Sequence, residues 1–392
     1  MPVDCASLRV RPNRKNYLYW KMATTDIPAK AFQKHRPVLQ RGAVGCDRYS
    51  AFSAAYELIG LCTANILRMQ GHTNGTDTMS APWLTVIMPA YQGEQWIRFA
   101  LDSLAAEADE GIEILLIDGS PTSATRDIAL GYAERLRLRI VERPDLRSWH
   151  DKTNVAVGLS AAEHLCWLHV DDLWFPGRVS AVRDWIRAAP EAPLHLAPCA
   201  IIDKHGRKLG IWHCPLPKER KLPSGMVIER LLVQNFIGAP APVFRKDAWL
   251  ACGGLDEDLW YTADWDLWLK LAAIGPVYYH DIVTAGFRIH GSSLTVTGSR
   301  DADDFRLQMQ IVLDRHLGLL GAQRTKVEPC ARASITVNAA LAAASAGRRG
   351  GLMHAASEVL RLGPSGIQRF LRDSRIVDRV APRVRAKLRG EL

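Results

Sequence analysis

From Leu84 to His290 the apolar positions alternate between short continuous runs and helical spacings. Leu84–Met88 reads as a strand stopped by Pro89, and Glu94–Ala106 as a helix with Trp96, Phe99, Ala100 and Leu104 on one side. Ile112–Ile117 is a second strand, stopped by Asp118-Gly119; Ser123–Leu136 is a helix and Leu138–Val141 a third strand. Helix Asp151–Ala162 leads into strand Leu165–Val170, which breaks into two adjacent carboxylates, Asp171 and Asp172, before Pro176-Gly177. This alternation predicts an α/β domain: a mostly parallel, Rossmann-like sheet with helices on both faces and right-handed crossovers. Helix Arg178–Ala188, strand Leu194–Ile202 and a turn at Asp203–Gly206 follow. The Pro- and Lys-rich stretch Cys214–Ser224 reads as a flexible loop over the crevice. Helix Met226–Gln234, strand Ala241–Phe244, helix Asp264–Ala273 and an extended Val277–His290 complete the domain, and from Asp303 the pattern is all-helical. The expected organisation is an extension over 1–80, poorly ordered or partly helical, an α/β domain over 81–300 and a helical appendage over 301–392. Within the extension only Ser50–Met69 looks helical, and Gly71–Thr78 resembles a linker. Met79 stands just before the first clear strand, so translation from Met79 and a genuine upstream extension both fit.

Composition narrows the class. The 392 residues are 48% hydrophobic and 23% charged, as in globular proteins. Eight cysteines without Cys-x-x-Cys spacing argue against a zinc site and for a reducing compartment. No apolar stretch reaches the ~18 residues of a membrane span, and the start lacks a secretory layout. These features point to the cytoplasm. The net charge of +9 suggests an anionic partner. Nucleic acid would satisfy it, but no nucleic-acid module is present. Part of the charge is local: residues 361–392 hold nine Lys or Arg against three acidic residues. There Ile367, Phe370, Leu371, Val377 and Val380 share a face of a basic amphipathic helix, Ile367–Val380. Such a helix suits peripheral contact with the inner face of a membrane, or packing on the α/β domain.

Candidate chemistry collects at strand ends, where open α/β sheets bind ligands. Pro89-Ala-Tyr91, Asp118-Gly-Ser120 and Asp171-Asp172 are three such ends. Two adjacent carboxylates are costly unless a cation joins them, so the pair marks a metal and anion site or, alternatively, a helix cap.

Six fragments in order then resemble family 2 inverting glycosyltransferases of the GT-A fold, over roughly residues 82–300. They are Val86-Ile-Met-Pro-Ala-Tyr91, Ile114-Leu-Leu-Ile-Asp-Gly-Ser120, Asp151-Lys-Thr-Asn154 and Leu168-His-Val-Asp-Asp172. The later pair are Gly253-Gly-Leu-Asp256 with Ala263-Asp-Trp-Asp-Leu-Trp-Leu-Lys-Leu271, and Phe287-Arg-Ile-His290. The departures are Gln92 for the usual Asn, Ser123 for Asp, His150 for Tyr, His169 for the first carboxylate of the Asp-rich motif, and Ala263 for Glu.

The resemblance implies transfer of one sugar, with inversion, from a nucleotide-sugar donor to a glycan or lipid-linked acceptor in cell-surface polysaccharide synthesis. It implies a divalent metal, Mn²⁺ or Mg²⁺, held by Asp172 and His290, with Asp171 nearer the ribose or sugar. Pro89, Tyr91, Glu94, Asp118, Asp151, Asn154 and Arg288 would complete the nucleotide-sugar site. Asp264 fits the general base, although it also stands where a helix begins and would serve as an N-cap; Asp266 competes for the role. Arg288 suits a phosphate or an internal salt bridge equally, and His290 is either a ligand or a satisfied polar group. Trp260, Trp265 and Trp268 read as core more than as an acceptor platform. Two rivals are a sugar-nucleotide nucleotidyltransferase, which would want a Gly-rich basic loop after the first strand, and a non-catalytic nucleotide-sugar-binding scaffold.

Overall fold

A computed structural model describes residues 19–20 and 80–390, apart from 108, 219–220 and 294–300. The expected helix Ser50–Met69 and linker Gly71–Thr78 lie outside the described residues. The strands in chain order are β1 (Tyr19–Trp20), β2 (Leu84–Ala90), β3 (Ile112–Asp118), β4 (Leu138–Glu142), β5 (His164–Trp167), β6 (Leu173–Trp174) and β7 (Leu194–Leu196). Then come β8 (Cys199–Ile202), β9 (Lys208–Trp212), β10 (Lys221–Leu222), β11 (Val243–Arg245), β12 (Val277–Tyr279) and β13 (Ala285–Arg288). The helices of the α/β region are α1 (Ile97–Ala106), α2 (Ala124–Leu130), α3 (Trp149–Leu159), α4 (Arg178–Ala188), α5 (Ser224–Val233), α6 (Lys246–Ala251) and α7 (Ala263–Ile274). The C-terminal region holds α8 (Ala302–His316), a 3₁₀ turn (Leu317–Gln323), α9 (Arg324–Ser345), α10 (Gly351–Arg361), α11 (Gly363–Ser374) and α12 (Ile376–Leu388).

A nine-stranded sheet runs β1-β4-β3-β2-β5-β11-β7-β12-β10, and a second sheet runs β6-β13-β8-β9. β1 to β5 pair in parallel, whereas β11 inserts antiparallel between β5 and β7. The α/β class, the large central sheet and the helical C-terminal region are those expected from the sequence. Strands β2 and β3 are buried at every position, as a parallel sheet covered on both faces requires. Pro89 does not stop β2. It lies where β2 has left β5 and pairs only with β3, so its missing N–H costs no bond on the other side.

Three further sequence expectations fail. The single strand Leu194–Ile202 is two strands in different sheets, broken at Ala197-Pro198, where proline cannot donate to a ladder. Helix Ile367–Val380 is two helices, because Arg375 takes a left-handed conformation (φ 46°) between α11 and α12. Cys214–Ser224 is not a free loop: Cys214 and Leu216 are buried in the main core, and Arg230 donates to the carbonyl of Pro215.

Candidate functional site

The loops after β2, β3 and β5 meet as the sheet topology dictates. After β2, Gln92 adopts φ 50°, a left-handed conformation that the usual Asn of this position tolerates better than Gln. Its N–H donates to Ser120 Oγ at 2.8 Å, and Gly93 N–H donates to Thr125 Oγ1 at 2.9 Å, joining the β2 and β3 loops. Thr125 Oγ1 in turn donates to Glu94 at 3.1 Å. Asp118 is buried at the end of β3 and accepts from Ser120 N–H at 2.9 Å. Tyr91 stands 41% exposed beside it.

Beneath these residues lies Lys152, quoted within the Asp151–Asn154 motif but given no role by sequence reasoning. It is fully buried, donates to Ala90 O at 2.8 Å and stacks its ammonium 5.2 Å from the Tyr91 ring. Burial pulls its pKa down to about 8, against the opposing charges of Asp118 and Asp151. A lysine inside a helix carries no local signal of such a position. A Cβ on Gly119 would stand 2.1 Å from Leu146 O and 3.1 Å from Lys152 Nζ, so only glycine fits this turn.

Ser148 caps α3, accepting from Asp151 N–H, and Asp151 Oδ1 lies 2.9 Å from His150 Nδ1. Asn154 uses both ends of its amide on the backbone of Leu255, donating to O at 3.0 Å and accepting from N–H at 3.1 Å. It thereby docks α3 on the segment preceding α7.

The two carboxylates after β5 have different surroundings. Asp172 is 1% exposed, and its Oδ1 accepts from Arg288 N–H at 2.9 Å. Its Oδ2 has no hydrogen-bond partner and lies 3.7 Å from His169 Nδ1. Burial, and then the charge of Asp171, push the Asp172 carboxyl well above its ordinary range. Asp171 is also disfavoured by burial, but the His290 hydrogen bond and the charges of His169 and His290 hold its carboxyl low. Asp171 Oδ2 lies 3.0 Å from His290 Nε2, and the other His290 nitrogen is 2.8 Å from Ser292 Oγ. Arg288 holds this turn in place, donating to Asp171 O at 2.6 Å and Asp203 O at 2.8 Å beneath the Trp96 ring. Its Nη2 has no partner.

Among the described residues no three His, Cys, Asp or Glu side chains form a cluster able to hold a metal alone. A divalent ion shared with phosphates needs only one or two protein carboxylates. The unpartnered Asp172 Oδ2 is a donor of that kind, with His290 close by against Asp171, and a cation there would relieve the carboxylate pair.

Asp264 stands on the first turn of α7. The N-cap position is Thr262, so Asp264 is within the helix. Its Oδ1 accepts from Trp265 N–H at 2.7 Å and its Oδ2 from Asn235 Nδ2 at 3.0 Å. Burial raises its pKa to about 6 despite those hydrogen bonds. It faces a cavity of about 130 Å³ also lined by Asn235, Tyr261, Trp265 and Phe287, room for about four waters or a group about the size of one sugar ring. Asp266 points the other way: it is fully buried and bonded to Lys270 (2.6 Å), Arg315 (2.8 Å) and His316 (2.8 Å). Those partners occupy it, and Asp264 alone of the two lines the cavity. Trp265 and Trp268 are core residues, Trp265 also forming part of the cavity wall.

Residues 85–222 match the profile of glycosyl transferase family 2. An uncharacterized glycosyltransferase of Rickettsia prowazekii is 24% identical over 233 residues, 57% of this chain and 70% of that protein. Chondroitin synthase of Escherichia coli is 22% identical over 285 residues, 72% of this chain but only 40% of that protein. A mannosyltransferase from Pyrobaculum calidifontis, solved with GDP-Man and Mn²⁺, superposes with a TM-score of 0.43 at 17% identity, covering 86% of this chain and 96% of that one.

Proposed function

We propose, on the match of residues 85–222 to glycosyl transferase family 2, an inverting transfer of one sugar from a nucleotide-sugar donor to a glycan or lipid-linked acceptor in cell-surface polysaccharide synthesis. The observation that carries the reading is Asp264, a carboxylate with its pKa raised to about 6, facing a sugar-sized cavity. Inversion is a single in-line displacement, so the acceptor hydroxyl needs a base on the face opposite the leaving diphosphate. Asp264 is that base, and the Asn235 hydrogen bond aims its carboxylate.

The donor lies over the loops after β2, β3 and β5. Asp118 receives the nucleoside, Tyr91 stacks on it, and Pro89 and Glu94 shape the same wall. Asp151 and Asn154 border the diphosphate from α3, and Arg288 fixes the carboxylate turn. When bound, Mn²⁺ or Mg²⁺ would be held by Asp172 and His290, with Asp171 nearer the ribose or sugar, and would stabilise the departing diphosphate as a Lewis acid. Five free thiols among the described residues, four of them buried, suit a cytoplasmic enzyme. No helix of the described residues is long and apolar enough to cross a membrane. Exposed Leu371, Val377 and Leu388 are the surface through which a peripheral contact would run.

Calorimetry of UDP, GDP, dTDP and CMP, each with and without Mn²⁺, tests the donor site. Metal-dependent binding of one nucleotide, weakened in Asp172→Ala, is expected. A folded protein that binds none of them would favour the scaffold reading.

A further inference from the structure

The Asp264 cavity is walled on one side by the C-terminal region. Arg379 and Arg383, one turn apart on α12, line it with Tyr261 and Asp264. Four other arginines of this region are matched to carboxylates: Arg361 to Glu358, Arg369 to Glu229, Arg372 to Asp373 and Arg375 to Asp378; Arg385 instead donates to Leu209 O on the small sheet. The two at the cavity are different. Arg379 donates to Asn338 Oδ1 and to Ser374 O (3.4 Å), and Arg383 donates to Arg379 O at 2.7 Å. Among the described residues neither has a carboxylate within ion-pair distance. Burial, and then the neighbouring Arg383, lower the Arg379 pKa to about 10, so both guanidiniums stay charged at neutral pH. Two guanidiniums against the single carboxylate of Asp264 leave the cavity lining one positive charge in excess, which favours an anion there, and guanidinium forks match carboxylate and phosphate oxygens.

We infer that the cavity takes an acceptor bearing a carboxylate or phosphate group, which Arg379 and Arg383 bind while the reactive hydroxyl faces Asp264. This rests on Asp264 being the base. A polar chain joins the two functions: Arg379 donates to Asn338, Asn338 to Gln234 (2.7 Å), Gln234 to Asn235 O (3.1 Å) and Asn235 to Asp264 (3.0 Å). The C-terminal region is therefore part of the acceptor site, tied to the base through side chains on α9, at the end of α5 and in the segment that follows.

The test is a titration of the full chain followed by intrinsic tryptophan fluorescence, to which Trp212 and Trp265 at the cavity contribute. The probes are methyl glucoside, methyl glucuronide and glucose 6-phosphate. At least one anionic probe should bind about tenfold more tightly than the neutral one; which one does so distinguishes carboxylate from phosphate. R379Q/R383Q should abolish the preference, R379K/R383K should keep part of it, and nucleoside diphosphate binding should be unchanged in both. If the glutamine pair fails to bind nucleotide, R383Q alone, which gives up only a bond to a backbone carbonyl, should still reduce the preference. Equal binding of neutral and anionic probes, no binding of either anionic probe, or a preference that survives these glutamine substitutions would overturn the inference. Failure of the base reading is separate: D264N would then retain transfer, whatever the binding preference.

Discussion

A carboxylate that takes a proton from a sugar hydroxyl must be ionised at working pH and yet basic, and Asp264 meets both demands with a pKa of about 6. Transfer rate should therefore rise with pH through about 6 and then level off. D264N should lower the rate by about 10²–10⁴-fold with donor affinity unchanged, measured as initial rates beside nucleotide binding. Asn235 donates to the charged form, so N235A should move the acid limb to higher pH. Lys152 supplies a second case. Its pKa of about 8 is below the ordinary 10.5, so between those values the unfolded chain keeps a proton that the native state has released. Stability from this group rises with pH across that window, and the charged lysine is destabilising at pH 7. K152M should melt at or above the parent temperature, since Ala90 O keeps the Gly119 N–H bond, while nucleotide binding weakens because Tyr91 and Asp118 lose their support. Asp264 was legible because its motif and helix start are local. Lys152 was not, because its burial depends on Ala90 and Tyr91, some sixty residues earlier.

At the level of elements the same distinction separates what the pattern revealed from what it hid. β2, β3, β4 and β5 follow from apolar runs with turn residues after them, and α4 was read with its observed bounds. The break at Arg375 was hidden, because the apolar pattern continues across it, whereas Pro198 is a local signal that the apolar run on either side outweighed. Asp266 competed in the sequence with Asp264 for the role of base. It instead clamps α7 to α8 through Arg315 and His316, 49 and 50 residues away, a distance over which spacing carries no information. Those partners hold its carboxyl far below the usual range although burial opposes them. Its stabilisation is thus present above about pH 4 and is lost as pH falls further. D266N would leave Lys270, Arg315 and His316 facing a neutral amide, and should cost about 3–5 kcal/mol in urea unfolding at pH 7. That loss should shrink when both proteins are compared near pH 3.

Across the whole molecule the appendage and the α/β region share one site, and the contact of α12 with the small sheet is local enough to break selectively. α12 lies on the small sheet: Ala386 is buried with Ile201, Leu209 and Ile289, and Arg385 donates to Leu209 O at 2.6 Å. Gly210 on β9 makes the approach close, for a Cβ there would meet Pro382 Cγ at 2.8 Å. Pro382 belongs to a ring within a helix and has little freedom to move aside. G210V should therefore push α12 outward, carrying Arg379 and Arg383 away from the cavity without touching Asp264, Asn235 or the loops after β2, β3 and β5. Nucleotide affinity should then match the parent, while the acceptor concentration for half-maximal rate rises several-fold. Limited proteolysis should also cut sooner around the α11–α12 junction. If α12 served only to cover apolar surface, the faster proteolysis would appear without the change in acceptor dependence.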